Sequence, residues 1–424
     1  GLVGLLNLNA SMTKAGIKYS SLWSEDFTDD FFLKNFKKWL TKGIIKHNVS
    51  HAVKFERIKI PAQCRTTAKR FAESFRKSKA IMGVFDEGCM GMYNAIIPDE
   101  LLYPIGICKE RLSQSSLYAK MLTIRDEEAE AVYKWLLKKG MKFSLGKNEE
   151  TELTERQILL QCKMYIAALR IADEFGCSTI GIQYQQGLKD LTPASDLAEG
   201  LLNNVDRPPV YNELTGKELY SGDALPHFNE VDECAGVDGL LTYHLWKELG
   251  YPPENTLHDI RWGRHFRGNG IDDFVWVFEI SGAVPPEHLI DGYKGATSER
   301  QPPMYFKLGG GTIKGISKPG FIIWSRIFVA NSKLNCDLGI GEVVKLPDTE
   351  SEARSKLTTE QWPMMHVILK GVTRDQMMAR HKSNHIQVVY VPDYNKAKEA
   401  LFTKAAVMRE LGMQVYICGK QAIQ

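Results

Sequence analysis

Between residues 30 and 43, Phe31, Phe32, Leu33, Phe36, Trp39 and Leu40 recur at helical spacing, and Gly43 follows as a stop signal. The lysines of 34–46 lie opposite this stripe and read as a solvated helix face, not as a nucleic-acid surface. Around this helix the pattern predicts strands: VGLLNL (3–8) as a short apolar strand, AVKFERIKI (52–60) as a half-buried alternating one, and KAIMGVF (79–85) as a buried one. CRTTAKRFAESFRKS (64–78) supplies the helix between the last two. Such strand–helix–strand succession predicts a parallel sheet with helices on both faces.

The polar stretch GKNEETELTE (146–155) marks a boundary. Beyond it Thr154 and Gln157 form a capping signal, and Ile158, Leu159, Cys162, Ile166 and Leu169 form a stripe that ends near Gly176. CSTIGIQY (177–184) reads as a strand, and SDLAEGLLNN (195–204) as a helix opening behind Ser195 or Asp196. From about residue 300 the texture turns rich in Gly, Pro and β-branched residues, which predicts short antiparallel strands. A clear helix returns only at 394–413, followed by the strand QVYIC. At roughly 150 residues per domain, 424 residues make two or three domains. The expected fold class is α/β: two Rossmann-like parallel-sheet α/β domains over 1–148 and 149–298, then a β-rich, barrel-like domain over 299–424.

Composition narrows the function classes. With 54 Lys and Arg against 51 Asp and Glu, the net charge of +3 is too small to imply a polyanion, so no nucleic-acid partner is expected. No apolar run approaches the ~18–20 residues of a membrane-spanning helix. The apolar start GLVGLLNLNA lacks the basic lead and cleavage site of a secretory signal, so a cytoplasmic location is expected. No two of the eight cysteines fall within four residues of one another, which removes zinc-knuckle and CxxC readings in favour of buried free thiols.

LGGGTIKG (308–315) fits neither the P-loop nor GxGxxG pattern and reads as a turn between strands. No GxSxG or HExxH is present. The informative stretch is 227–266, where Glu230, Asp232 and Glu233 end one expected strand, a helix runs from about Gly236 to Leu249, and Asp259 ends the next strand. In a parallel sheet the carboxyl ends of two such strands share one edge, so Glu230 and Asp259 are expected to meet. His385, entering the strand of RHKSNHIQVVYV (380–391), offers a third ligand. Two carboxylates and one imidazole suit Mn²⁺ or another divalent cation better than a closed zinc site. Asp232 is expected to cap the helix and Glu233 to lie at the surface.

NEVDECAGV resembles the E-x-D-x-x-x-G-V element of L-fucose isomerases, and LHDIR resembles the aspartate element that follows it. The Asn-His step of that family is similar to Asn384 and His385. The likeness extends to CMGMYNAIIPDELL (89–102), to GIQYQQGLKDLTPASDLAEGLLNN (181–204) and to GTIKGISKPGF. Here the connection between the acidic elements is longer, the loop after QYQQ differs, and the chain is shorter than typical members. The resemblance implies Glu230 and Asp259 as metal ligands and proton-transfer residues, with His385 as third ligand. It also implies Gln183 or Gln185 near the substrate hydroxyls and Trp362 packed on the sugar. If Gln183 and Gln185 alternate along a strand, only one of them reaches the pocket.

The expected function is therefore that of a metal-dependent aldose–ketose isomerase, moving a proton between C1 and C2 of a sugar. The alternative is a non-enzymatic sugar-binding or regulatory α/β protein. A small-molecule sugar is the expected partner, and the resemblance implies a homo-oligomer, a trimer or hexamer. Arg261, Arg264, His265 and Arg267 follow Asp259 as a basic cluster, which favours an acidic or sulfonated sugar if it lines the cleft and is a solvated loop or subunit contact if it does not.

Overall fold

The computed structural model describes residues 1–88 and 90–419. Its strands, in chain order, are β1 (Ala52–Lys54), β2 (Ala80–Phe85), β3 (Ile107–Leu112), β4 (Lys142–Phe143), β5 (Thr179–Ile182), β6 (Asn255–Gly268), β7 (Ile271–Glu279), β8 (Thr297–Ser298), β9 (Gly320–Ala330), β10 (Lys333–Val343), β11 (Met364–Leu369), β12 (His385–Val391) and β13 (Gln414–Cys418). The class is mixed α/β, as expected. A three-stranded parallel sheet has the order β3-β2-β5, so strands from both sides of residue 148 share it. The larger sheet closes on itself: β10-β11-β7-β6-β12-β9 returns to β10, every pair antiparallel, forming a six-stranded barrel. β13 lies parallel against β10, and β1 pairs with β13 at the edge.

Three local expectations need correction. VGLLNL belongs to a helix, Leu2–Lys14, not to a strand. Leu2, Leu5, Leu6, Asn9 and Ala10 follow helical spacing, and Leu6 packs in a cluster with Trp276, Phe278 and Met365 of the barrel. A six-residue apolar window carries too little of either period to decide. AVKFERIKI forms only the three residues of β1 before a 3₁₀ turn at Phe55–Arg57. Past β1, Phe55 and Ile60 bury their side chains in a cluster with the helix Ala62–Ser78. The antiparallel part is neither short-stranded nor confined to the last third. β6 and β7 already belong to it, and β9 and β10 run eleven residues each.

Capped elements form where the pattern puts them. Thr154 and Gln157 make the capping box of the helix Glu155–Glu174. The helix Asp30–Lys42 ends at Gly43 in the left-handed conformation, with Leu33, Trp39 and Leu40 exposed on it. The helices Asp196–Leu202 and Tyr394–Glu410 also stand as expected. Gly309 and Gly310 take positive φ in the Gly-rich run, which is loop and isolated bridges, not a phosphate-binding helix start. Six of the seven described cysteines are buried and Cys108 is exposed, all as free thiols. Cys89 lies outside the described residues. Among those residues no helix is long and apolar enough to cross a membrane.

Candidate metal centre

Glu230 does not end a parallel strand, and neither does Asp259. Glu230 sits in a 3₁₀ turn, Asn229–Val231, just before the helix Glu233–Leu249. Glu230 and Val231 both take left-handed torsions, φ 56° and 51°, which for non-glycine residues stores of order 1–3 kcal/mol. Burial holds this turn in place. The Phe228 ring packs against Gly181 of β5 and Gly236 of the helix, so closely that a Cβ on either glycine would overlap it. Asn229 is fully buried and donates to Glu199, whose other carboxylate oxygen accepts from Ser195.

Asp259 lies within β6, where its direct neighbours are His385 on β12 and Glu279 on β7. Cross-strand register therefore sets Asp259 beside His385, and the turn brings Glu230 over them. His385 Nε2 is 3.4 Å from Glu230 Oε2 and 3.6 Å from Asp259 Oδ1. One ligating atom from each of the three residues lies within 4.8 Å of the others.

The imidazole is held from behind. Its Nδ1 is 2.7 Å from Asp232 Oδ2, which also accepts from Arg326 Nη1 at 2.6 Å. Asp232 Oδ1 caps the helix by accepting from Ala235 N–H, so the expected capping role holds beside a second one. With Nδ1 donating to a carboxylate, Nε2 is left to face the two acids, and it has no hydrogen-bond partner although it is buried. Asn384 Nδ2 donates to Asp259 Oδ1 at 3.1 Å and orients that carboxylate.

The electrostatics follow from this packing. Burial works against a charged His385, but its hydrogen bond to Asp232 and the close carboxylates of Glu230 and Asp232 outweigh that and raise its pKa to about 10. Burial and the Glu230 charge raise the Asp259 carboxyl, with His385 and Arg261 opposing. Asp232 is also buried, yet the Arg326 and His385 charges hold it well below the usual carboxylate range. A proton on Nε2 thus stands where a divalent cation would be held by the same three residues, and such a cation would displace it.

Of the basic cluster only Arg261 turns toward this centre, 3.4 Å from Asp259 and 3.2 Å from Glu279. Arg264 pairs with Glu350, while His265 and Arg267 pair with Asp272. Trp362 stacks beneath the Arg261 guanidinium at 5.3 Å and donates to Gln301. Gln183 and Gln185 both border one recess with Glu230, because β5 ends at Ile182 and the chain turns there. Gln183 is committed on both sides, donating to Gly88 O and accepting from Gln185 N–H.

Several residues of this region carry no local sequence signal. Glu233, expected at the surface, is fully buried in an ion pair with Lys109. Glu279 is buried beside Asp259 with its pKa pushed up to about 7, chiefly by burial. Asp196 and Glu199 border the recess, although the sequence marks this segment only as a helix start. No protein-family model matches the chain, and no curated protein matches it.

Proposed function

We propose that the protein is a metal-dependent aldose–ketose isomerase that moves a proton between C1 and C2 of a sugar. The observation that carries this reading is the convergence of Glu230, Asp259 and the unpartnered Nε2 of His385 within 4.8 Å. Two carboxylates and one imidazole are a donor set that would hold a divalent cation such as Mn²⁺. The E-x-D-x-x-x-G-V and Asn-His elements, similar to those of L-fucose isomerases, support the same reading. When bound, the cation supplies Lewis-acid polarisation of the sugar carbonyl.

The chain's own residues do the rest. Glu230 and Asp259 approach from separate elements, a turn and a barrel strand, so one carboxylate can remove a proton that the other returns. Asp232 and Arg326 hold His385 in the orientation that points Nε2 at the site. Asn384 and Arg261 steady Asp259, and burial of the site keeps bulk water from competing for the proton. Assembly into a trimer or hexamer belongs to the same proposal, and sedimentation equilibrium measures it.

Chelation followed by return of Mn²⁺ tests the reading, with aldose-to-ketose conversion followed by NMR over a panel of sugars. The expected result is loss and recovery of turnover, and a drop of roughly 10²–10⁴-fold in Glu230→Gln. Full turnover by the stripped protein or by this variant refutes it.

A further inference from the structure

The recess that opens beside Glu230 is narrow, with about 30 Å³ open to water-sized occupants. That is room for a hydroxyl or two of a ligand held at Glu230, not for a whole sugar. Its polar lining comes from Gln183, Gln185, Ser195, Asp196, Glu199 and Ser281. None of its described lining residues is basic.

The two acids in this wall differ. Glu199 is fully engaged, with Ser195 on one oxygen and Asn229 on the other, and so belongs to the scaffold of the Glu230 turn. Asp196 is only 3% exposed, yet its Oδ2 has no hydrogen-bond partner. A carboxylate oxygen left bare in a buried wall costs more than any other polar atom there. Ser281 and Gln301 lie close enough to hold the carboxyl in place, and what Oδ2 still lacks is a donor within the recess.

We propose that Asp196 is a substrate-recognition residue whose Oδ2 takes a hydrogen bond from a hydroxyl of a neutral polyhydroxylated ligand. The assignment rests on the isomerase reading, in which a sugar held at Glu230 lays its remaining hydroxyls along this lining. It also settles the class of ligand. Arg264, His265 and Arg267 are paired outside the recess, and no described residue of its lining is basic, so an acidic or sulfonated tail finds no counter-charge there. Burial raises the Asp196 and Glu199 carboxyls, as expected for acids that lack a cation nearby.

Calorimetric titration of Mn²⁺-loaded protein with five- and six-carbon alditols, and with the matched aldonates, tests the assignment. Wild type is expected to bind at least one alditol more tightly than its aldonate. Asp196→Ala should weaken that binding about ten- to hundredfold, and the isosteric Asp196→Asn should weaken it less. Three results overturn the assignment: no alditol binds, an aldonate binds as tightly as its alditol, or a folded Asp196→Ala stays within twofold of wild type. The aldonate comparison uses wild type alone, so it decides even if the alanine variant does not fold, and Asp196→Asn serves as the folded substitute. Aldose conversion on the same samples separates the two readings. Intact, Asp196-dependent alditol binding without conversion removes the isomerase reading alone. Conversion with no dependence on Asp196 removes this one.

Discussion

Asp232 divides its two oxygens among three tasks: capping a helix, neutralising the buried Arg326 and orienting His385. Arg326 is 1% exposed, and its Nε and Nη2 have no hydrogen-bond partner, so Asp232 is the anion that makes its burial tolerable. Removing one member of a buried pair costs about 3–5 kcal/mol, because the other charge stays buried. Asp232→Asn should therefore lower stability by that order in urea unfolding. It should also weaken Mn²⁺ binding about 10–100-fold, since imidazole orientation is lost with it. Unchanged Mn²⁺ affinity in a folded variant would show that His385 needs no such support. The capping role was legible because Asp before a helix is a local signal. The roles toward Arg326 and His385 were not, because residues 94 and 153 positions away are involved.

Elements whose ends are written in local chemistry formed where the pattern predicts. Thr154 with Gln157, and Gly43 after its stripe, are examples. Elements defined by a short apolar run did not, and Leu2–Lys14 is the case: its helical spacing emerges only when the window extends to Asn9 and Ala10. Packing between elements carries a further consequence at Gly181. There β5 approaches the Phe228 ring so closely that a methyl group overlaps it, while Gly236, where an added Cβ would lie 2.7 Å from the ring, blocks retreat on the other side. Gly181→Ala should cost about 1–3 kcal/mol by overpacking. Because Phe228 leads into the Asn229–Val231 turn, the substitution should also displace Glu230 and weaken Mn²⁺ binding. Thermal melts and Mn²⁺ titration of this variant, beside a Gly4→Ala control whose Cβ meets nothing within 4 Å and whose φ is not left-handed, measure both effects.

Across the whole molecule, burial sets how stability responds to acid. His51 and His366 have pKa values lowered to about 4, and His227 and His288 to about 3, in each case chiefly by burial. Their unfolded value is near 6.5, so below that pH the unfolded chain binds more protons and stability falls as pH drops toward 4. Glu233 and Glu279, raised to about 7 mainly by burial, act in the opposite sense. The folded state takes up their protons first, which stabilises it as pH falls from 7 to their unfolded values near 4.5. His244, His258 and His381 join the first group and Asp196, Glu199, Glu254 and Asp259 the second, seven histidines against six carboxyls. Each contributes up to roughly 1.4 kcal/mol per pH unit, and carboxylates held low by ion pairs, such as Asp232, add to the loss in acid. The urea midpoint should fall between pH 6.5 and 4, and unfolding at pH 5.5 should take up protons. A flat midpoint over that range would contradict the buried, neutral state of these histidines.

The amino-acid order by itself determined the α/β class, the capped helices, the buried strand at 80–85 and the three residue types able to grip a cation. Each of these depends on neighbours within a few turns of chain, where spacing and capping act. Only the tertiary structure decided that β6 and β12 lie side by side in a closed antiparallel barrel, with Asp259 opposite His385. It alone decided that Glu230 reaches them from a strained turn and that Asp196 faces the same recess. Strand register and barrel closure are set by the best burial of the whole apolar surface, and that optimum is not a property of any single segment.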